Sequence, residues 1–462
     1  MISTFTMRRS ALALAVLTLA GCSFIPTYER PAAPVAAEWS GVTPVAAATP
    51  AAEVAWADFV SDARLRELIG LAIKNNRDLR VATLNIEQVR AQYQIRRADQ
   101  FPTLNLAATG SRQSNADDSI TSLYTAGLAM SGWEIDFFGR IASLKEVALA
   151  QYLASEEARN AAQTSLVASV TSTWLSLQAS DELLALTQRT LATRRDSLRL
   201  TRLRFDNGVT SALDLRQAES LTATAESALA QQQRQRALDL NALTLLVGQP
   251  LPAGLVDPGR DAVTTQPLFR DLPAGLPSDL LTRRPDIRQA EQALIAANAN
   301  IGAARAAFFP RISLTASVGS ASSELSGLFK DGSWGFSLAP QALLPIFDAG
   351  RNRAGLESAK VGRELAVAQY EKAIQTAFRE VADALAGRAT LGEQLRAQQA
   401  QATAEAERFR LAELRYRNGV ASFLEVLDAQ RSLFATQQTL VQTRLVQQQN
   451  QVALYKALGG GY

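Results

Sequence analysis

Four stretches of the chain alternate apolar and polar residues with a period of two. Ile312, Leu314, Ala316 and Val318 alternate with Arg311, Ser313, Thr315 and Ser317, and Leu104, Leu106 and Ala108 alternate with Thr103, Asn105 and Ala107. Trp334, Phe336 and Leu338 make a third set, and Tyr124, Ala126, Leu128 and Met130 a fourth. A strand sends successive side chains to opposite faces, so four half-buried strands are predicted, joined by polar loops over 109–123 and 320–333. Elsewhere the pattern is helical. Arg140 to Asp206 holds neither glycine nor proline and consists mainly of good helix formers. It predicts one helix or two stacked ones, about 95 to 100 Å long at 1.5 Å per residue. Shorter helices are expected over about 62–99 and 210–247. From Val420 one heptad seam runs through Leu424, Leu427, Phe434, Val441, Leu445, Val452 and Tyr455, and a second through Phe423, Val426, Leu433, Leu440 and Leu454. Two seams imply two helical neighbours, as in the wall of a tube.

Prolines divide these elements into halves. None occurs from 103 to 249 or after Pro345, whereas seven lie between Pro250 and Pro285. The halves repeat one another: Arg204-Phe205-Asp206-Asn207-Gly208-Val209-Thr210-Ser211 matches Arg415-Tyr416-Arg417-Asn418-Gly419-Val420-Ala421-Ser422 at an offset of 211. Upstream, Asp78-Leu79-Arg80 matches Asp286-Ile287-Arg288, and Phe101-Pro102 matches Phe309-Pro310, at an offset of 208. Each half reads helix, two strands, very long helix, Asn-Gly turn, shorter helix. The expected organisation is a signal peptide over 1–21, an extended anchored segment over 22–61, a first repeat over 62–248, a connector over 249–278, a second repeat over 279–458 and a tail over 459–462.

The amino terminus sets the compartment. Arg8 and Arg9 precede an apolar run from Ala11 to Ala20, as in an export signal. Leu19-Ala20-Gly21-Cys22 resembles the lipobox of bacterial lipoproteins, which makes Cys22, the single cysteine of the 462 residues, a lipidation site. Ser23 follows it rather than Asp, which in bacterial lipoproteins would favour inner-membrane retention, so the resemblance implies the outer membrane. Removing Arg8 and Arg9 from 47 basic residues leaves 45 against 44 acidic ones, so charge gives no nucleic-acid signal. There is no histidine, so imidazole catalysis and the usual zinc sites are excluded, and one cysteine excludes an intrachain disulfide. No nucleophile with a base, metal spacing or phosphate loop is found, so neither an enzyme nor a cofactor is expected.

Aromatic residues crowd the strand regions, as in the girdles of membrane barrels. Four strands cannot close a barrel, and a membrane tolerates no open sheet edge, so subunits must pool their strands. Two copies would give eight and three would give twelve, of which only the larger suggests a channel. A lipid-anchored scaffold without a pore is the alternative.

The lipobox, the two repeats, the strands leading through Phe137-Phe138-Gly139-Arg140 and Phe347-Asp348-Ala349-Gly350-Arg351 into long helices, and the Arg-aromatic-x-Asn-Gly-Val turns resemble the TolC-like outer membrane efflux protein family, in its lipoprotein branch. The resemblance implies a mainly α fold with a membrane β-barrel. Each protomer's two repeats would give four barrel strands and the long helices of a tunnel, in a homotrimeric duct. It also implies a passive exit for drugs or other small molecules, fed by a periplasmic adaptor protein and an inner-membrane pump of the RND type. A duct for protein secretion would share the fold.

The hairpin tips are the candidate site. The offset pairs Asp214 with Glu425 but Gln217 with Asp428, so the second tip is the more acidic. The resemblance implies that Glu425 and Asp428 close the duct near a threefold axis, with Leu424 as an apolar collar. It is firmest for Asp428, within Leu427-Asp428-Ala429; the position of Glu425 varies among relatives. Three carboxylates around an axis would hold cations and impede anions. The alternative is that Asp428 pairs with an arginine such as Arg431. Gly208 and Gly419 suit left-handed turns. Around them Arg204, Phe205, Val209, Arg415, Tyr416 and Val420 would meet the adaptor, although the aromatics could equally serve hairpin folding.

Overall fold

The computed structural model describes residues 23–36, 53–256, 268–272 and 277–461. The signal peptide, Cys22 and part of the connector lie outside these residues. The chain forms two compact units, one comprising residues up to Ala33, Leu84–Glu157 and Gln289–Lys372, the other Pro34–Thr83, Ala158–Arg288 and Ala373–Tyr462. Helices α1 (Ala63–Asn75) and α2 (Arg77–Ala98) precede strands β1 (Leu104–Ser114) and β2 (Ile120–Ile135), and then come α3 (Arg140–Asp206) and α4 (Ala212–Val247). The second repeat supplies α5 (Pro285–Ala306), β3 (Arg311–Ser322), β4 (Trp334–Leu343), α6 (Arg351–Arg417) and α7 (Phe423–Ala457). Helices α3 and α6 each contain 67 residues and sit at the offset of 211 found in the turn motif.

Two expectations are corrected. The single helix over 62–99 is broken at Asn76, whose side chain accepts from the Leu79 amide and donates to the Leu246 carbonyl, so it caps α2 while tying it to α4. The loops over 109–123 and 320–333 are shorter, because β1 runs to Ser114, β2 begins at Ile120 and β3 ends at Ser322. Their polar residues hid strand that is held by backbone pairing, from Thr109 opposite Thr125 to Ser114 opposite Ile120.

In the first unit the strands form one antiparallel sheet in the order β1-β2-β3-β4. Register aligns Leu104, Met130, Ala316 and Leu338 in one row and Leu106, Leu128, Val318 and Phe336 in the next. One face is therefore apolar over these rows, and most of it is uncovered: Leu106 is 85% and Phe336 84% exposed, while Met130 is buried. Alternation in β2 would turn Trp133 and Ile135 to the other face, but a bulge between Met130 and Trp133, with Gly132 at φ 63°, resets it. Trp133 then stands opposite Leu314 and Ile135 opposite Ile312, and the apolar face continues.

The opposite face carries Ala107, Gly127, Gly319 and Gly335 in one row. A Cβ at Gly127 would overlap the Val318 carbonyl oxygen, and one at Gly319 would overlap the Ala126 carbonyl oxygen. Strands β2 and β3 thus fold toward this face along a line without side chains. The extended residues after Ser23 bind the same unit: Phe24 stacks on Phe309, which stacks on Phe138, and Arg30 forms a two-armed ion pair with Glu291.

The second unit is centred on Tyr455, which stacks on Phe59 at 4.1 Å and donates its hydroxyl hydrogen to the Val54 or Gly461 carbonyl. Buried Arg284 joins Asp286, Glu380 and the Ala457 carbonyl, fastening α5 to α6 and α7. The glycines of the one row differ in what surrounds them. Gly127→Val or Gly319→Val will abolish the folded, heat-modifiable form of the purified protein on gels, whereas Gly335→Val, where a Cβ meets nothing within 4 Å, will retain it.

Candidate functional site

Each tip is built by the same backbone device. Gly208 (φ 71°) and Gly419 (φ 73°) take the left-handed conformation that a β-carbon disfavours, as expected from the sequence. The Val209 amide donates to the Arg204 carbonyl at 2.8 Å and the Val420 amide to the Arg415 carbonyl at 2.9 Å. Asn207 and Asn418 donate their side-chain amides to Leu203 and Leu414, both at 2.7 Å. The Arg-aromatic-x-Asn-Gly-Val motif is thus a helix stop, with the asparagine and the glycine closing carbonyls the helix leaves open.

Side-chain chemistry then separates the tips. In the first, Ser211 and Asp214 make a reciprocal capping box, and Asp214 also accepts from the Thr210 hydroxyl. The Ser211 and Thr210 hydroxyls hold the Asp214 carboxyl below the usual carboxylate range. With Asp214 so engaged, Arg204 reaches to the second tip: Nη1 donates to the Tyr416 hydroxyl and the guanidinium lies 5.2 Å from its ring centre. In the second tip Ser422 makes no side-chain cap, and Glu425 instead pairs with Arg415 at 3.1 Å. Tyr416 and Phe423 pack with rings 5.1 Å apart beside a small core of Ala412, Val426 and Ala429.

Asp428 is not a lone carboxylate. Arg431 lies at 2.5 Å and Arg408 at 3.5 Å, so two cations stand beside the acid. Arg431 was legible as an i,i+3 partner. Arg408 was not, because it reaches Asp428 across the hairpin from α6. Leu424 is half-exposed, and it belongs to an apolar set that the two tips share at the repeat offset. Leu200, Leu203, Val209 and Leu213 are exposed on the first hairpin, and so are their counterparts Leu411, Leu414, Val420 and Leu424 on the second. Val209, Val420 and Leu424 were expected at the tips; Leu203 and Leu414, one turn before each stop, are the additions, and the same offset relates them. Among the described residues no helix is long and apolar enough to cross a membrane, and no cluster of three or more potential metal ligands forms.

The unequal caps carry a test. Ser211→Ala will cost the first turn of α4 about 1 kcal/mol of local stability, while Ser422→Ala will change α7 by only a few tenths, read as amide-exchange protection. Because the Asp214 pKa is depressed in the folded state, its contribution is present above the unfolded carboxylate pKa and is lost as pH falls through the lower folded value. Acid must therefore loosen the first α4 turn in the wild type and leave Asp214→Asn unaffected.

Comparison with known proteins follows the same organisation. The family model for the outer membrane efflux protein matches residues 68–249 and 276–460, one segment per repeat. The chain is 48% identical over 469 residues to the antibiotic efflux pump outer membrane protein ArpC of Pseudomonas putida, covering 99% of this chain and 96% of that one. Identity and coverage are the same for the toluene efflux pump outer membrane protein TtgC of the same species. Among solved structures, the open state of the Neisseria gonorrhoeae MtrE outer membrane channel superposes with a TM-score of 0.87 at 41% identity, over 95% of this chain and 98% of that one. With both repeats, their sheet and their paired hairpins accounted for, the chain belongs to the outer membrane efflux protein family.

Proposed function

We propose that this protein is the outer-membrane exit duct of a tripartite efflux system, a homotrimer held in the membrane by a barrel and by lipid on Cys22. The observation that carries the proposal is the four-stranded sheet, with a largely uncovered apolar band across one face and, among the described residues, two edges that pair with nothing in the chain. Three copies would join β4 of one protomer to β1 of the next and make a closed twelve-stranded barrel, apolar outside and lined by Asn105, Ser317 and Ser337 within. The family match supports the outer membrane as the location. The antibiotic and toluene pumps of the relatives support small, largely apolar cargo. An inner-membrane pump of the RND type and a periplasmic adaptor would deliver it, since the duct itself has no energy source.

In this reading the second tip is the gate. Leu424 forms the collar, and the Arg415–Glu425 and Arg408–Asp428 pairs hold α7 against α6 in the resting state, with Arg431 flanking Asp428 on α7 itself. Solvent-exposed pairs of this kind contribute about 0–1 kcal/mol each, so several must act together. The Arg204–Tyr416 contact joins the hairpins. The exposed surfaces around Arg204, Phe205, Gly208, Val209, Arg415, Tyr416, Gly419 and Val420 receive the adaptor, which favours the open state by binding it better. Because every Asp428 sits beside two arginines, the constriction is not a ring of bare carboxylates.

Deleting the gene in its native bacterium will raise steady-state accumulation of a fluorescent efflux substrate, and a plasmid copy will reverse it. Unchanged accumulation in a strain with no second outer-membrane duct would turn the assignment toward protein export. In planar bilayers Asp428→Ala will raise the fraction of time the channel conducts severalfold, whereas a wild-type record would remove Asp428 from the gate.

A further inference from the structure

Helices α3 and α4 of the first repeat and α7 of the second converge on one buried cation. Arg194, on α3, is 3% exposed. Its Nη1 donates to the Leu221 carbonyl of α4 at 2.8 Å, and its guanidinium carbon lies 5.3 Å from the centre of the Phe434 ring of α7. Its Nε–H is buried without a partner, and among the described residues it forms no ion pair. Burial alone pushes its pKa down, with no neighbouring charge opposing the shift. A buried guanidinium ordinarily recruits a carboxylate, because its desolvation is costly. Here one carbonyl and one aromatic face take that role.

The repeat shows that this arrangement occurs once. The offset of 211 pairs Arg194 with Glu405 and Phe434 with Ala223. Glu405 has an ordinary ion pair with Arg408 on its own helix. The two halves of the contact therefore belong to different repeats, and neither is reproduced by the duplication. Phe434 stands six residues beyond Asp428 on α7, about 9 Å along the helix axis at 1.5 Å per residue. The helix that carries Glu425 and Asp428 is thus fastened to the first hairpin well behind the tip.

We propose that Arg194 and Phe434 form a second lock between the hairpins, holding the second-repeat hairpin against the first until opening carries the ring away and admits water to the guanidinium. The lock rests on the reading of the second tip as the gate. In the docked state the cation depends on the negative face of the ring and on the Leu221 carbonyl; in the splayed state water solvates it fully. The contact is therefore strong only while it is dry. Once Phe434 withdraws, the hydrated arginine opposes return, which makes separation of the hairpins cooperative rather than gradual.

The test uses the full-length lipidated protein in planar bilayers, with variants first checked for the same oligomer mass and helix content as the wild type. Phe434→Leu keeps an apolar side chain but strands the cation, and will raise the open fraction about tenfold, the scale of a desolvated cation–π contact. Adding Arg194→Met to Phe434→Leu removes the stranded charge and will bring the open fraction back down at least about fivefold, a rescue that a simple packing defect would not show. If Phe434→Leu stays as closed as the wild type while Asp428→Ala opens, the lock is overturned and the tip gate stands. If Phe434→Leu opens but Arg194→Met does not reverse it, Phe434 acts by packing alone and the lock is equally overturned. If neither Phe434→Leu nor Asp428→Ala opens the channel, the gate reading fails and the lock with it.

Discussion

An unpaired strand edge is the constraint from which the proposed assembly follows. Hydrocarbon offers no hydrogen bonds, so the amides and carbonyls along the outer edges of β1 and β4 need another strand wherever the apolar face meets lipid. A chain with four strands and a face of Leu106, Leu128, Val318 and Phe336 cannot meet that need by itself. The bulge at Gly132 and the glycine row serve the same end. The bulge keeps Trp133 and Ile135 on the face that must be apolar, and Gly127 with Gly319 lets the sheet curve toward its polar side, as closure demands. Short edge strands or charged edges, the usual protection against association, would here defeat the purpose.

Duplication yields two hairpins with one backbone and different side-chain chemistry. The turns are superimposable in their hydrogen bonds, since Asn207-Gly208 and Asn418-Gly419 stop their helices identically. Divergence lies in what each arginine has left to bind. Asp214 is held in its capping box, so Arg204 turns to Tyr416, whereas Glu425 remains available and takes Arg415. The difference lies in the turns themselves, since both hairpins carry ion pairs between their helices farther along, Arg195–Glu226 and Arg202–Glu219 in the first and Arg408–Asp428 in the second.

Much of this was legible from residue types and spacing. The glycine-free stretch from Arg140 to Asp206 marked α3 to the residue, and the offset of 211 carried the assignment to α6 despite its four internal glycines, including Gly387, which lies against Asn450. The β-strand cores around Leu106 and Val318 were visible because one face is apolar. Their outer ends were not, since Ser111, Gln113 and Thr121 are polar on a segment held by backbone pairing and a few side-chain hydrogen bonds, such as Asn115 to Thr121. The break at Asn76 was hidden because its cap and its tertiary bond use one ordinary-looking asparagine. At the tips the turn residues were found from sequence. The partners were not: Arg408 to Asp428, Arg204 to Tyr416 and Arg194 to Phe434 are contacts between segments far apart in the chain, and no local period encodes them.

The central claim is that copies of this chain complete one another's sheet. Native mass spectrometry of the protein extracted from outer membranes in mild detergent tests it most directly, with conductance of the same particle recorded after reconstitution. The account predicts a particle of three chains that forms a conducting pore. A monomer or a dimer that remains stable in detergent and conducts nothing would contradict it, because the edges of β1 and β4 would then have found some other solution.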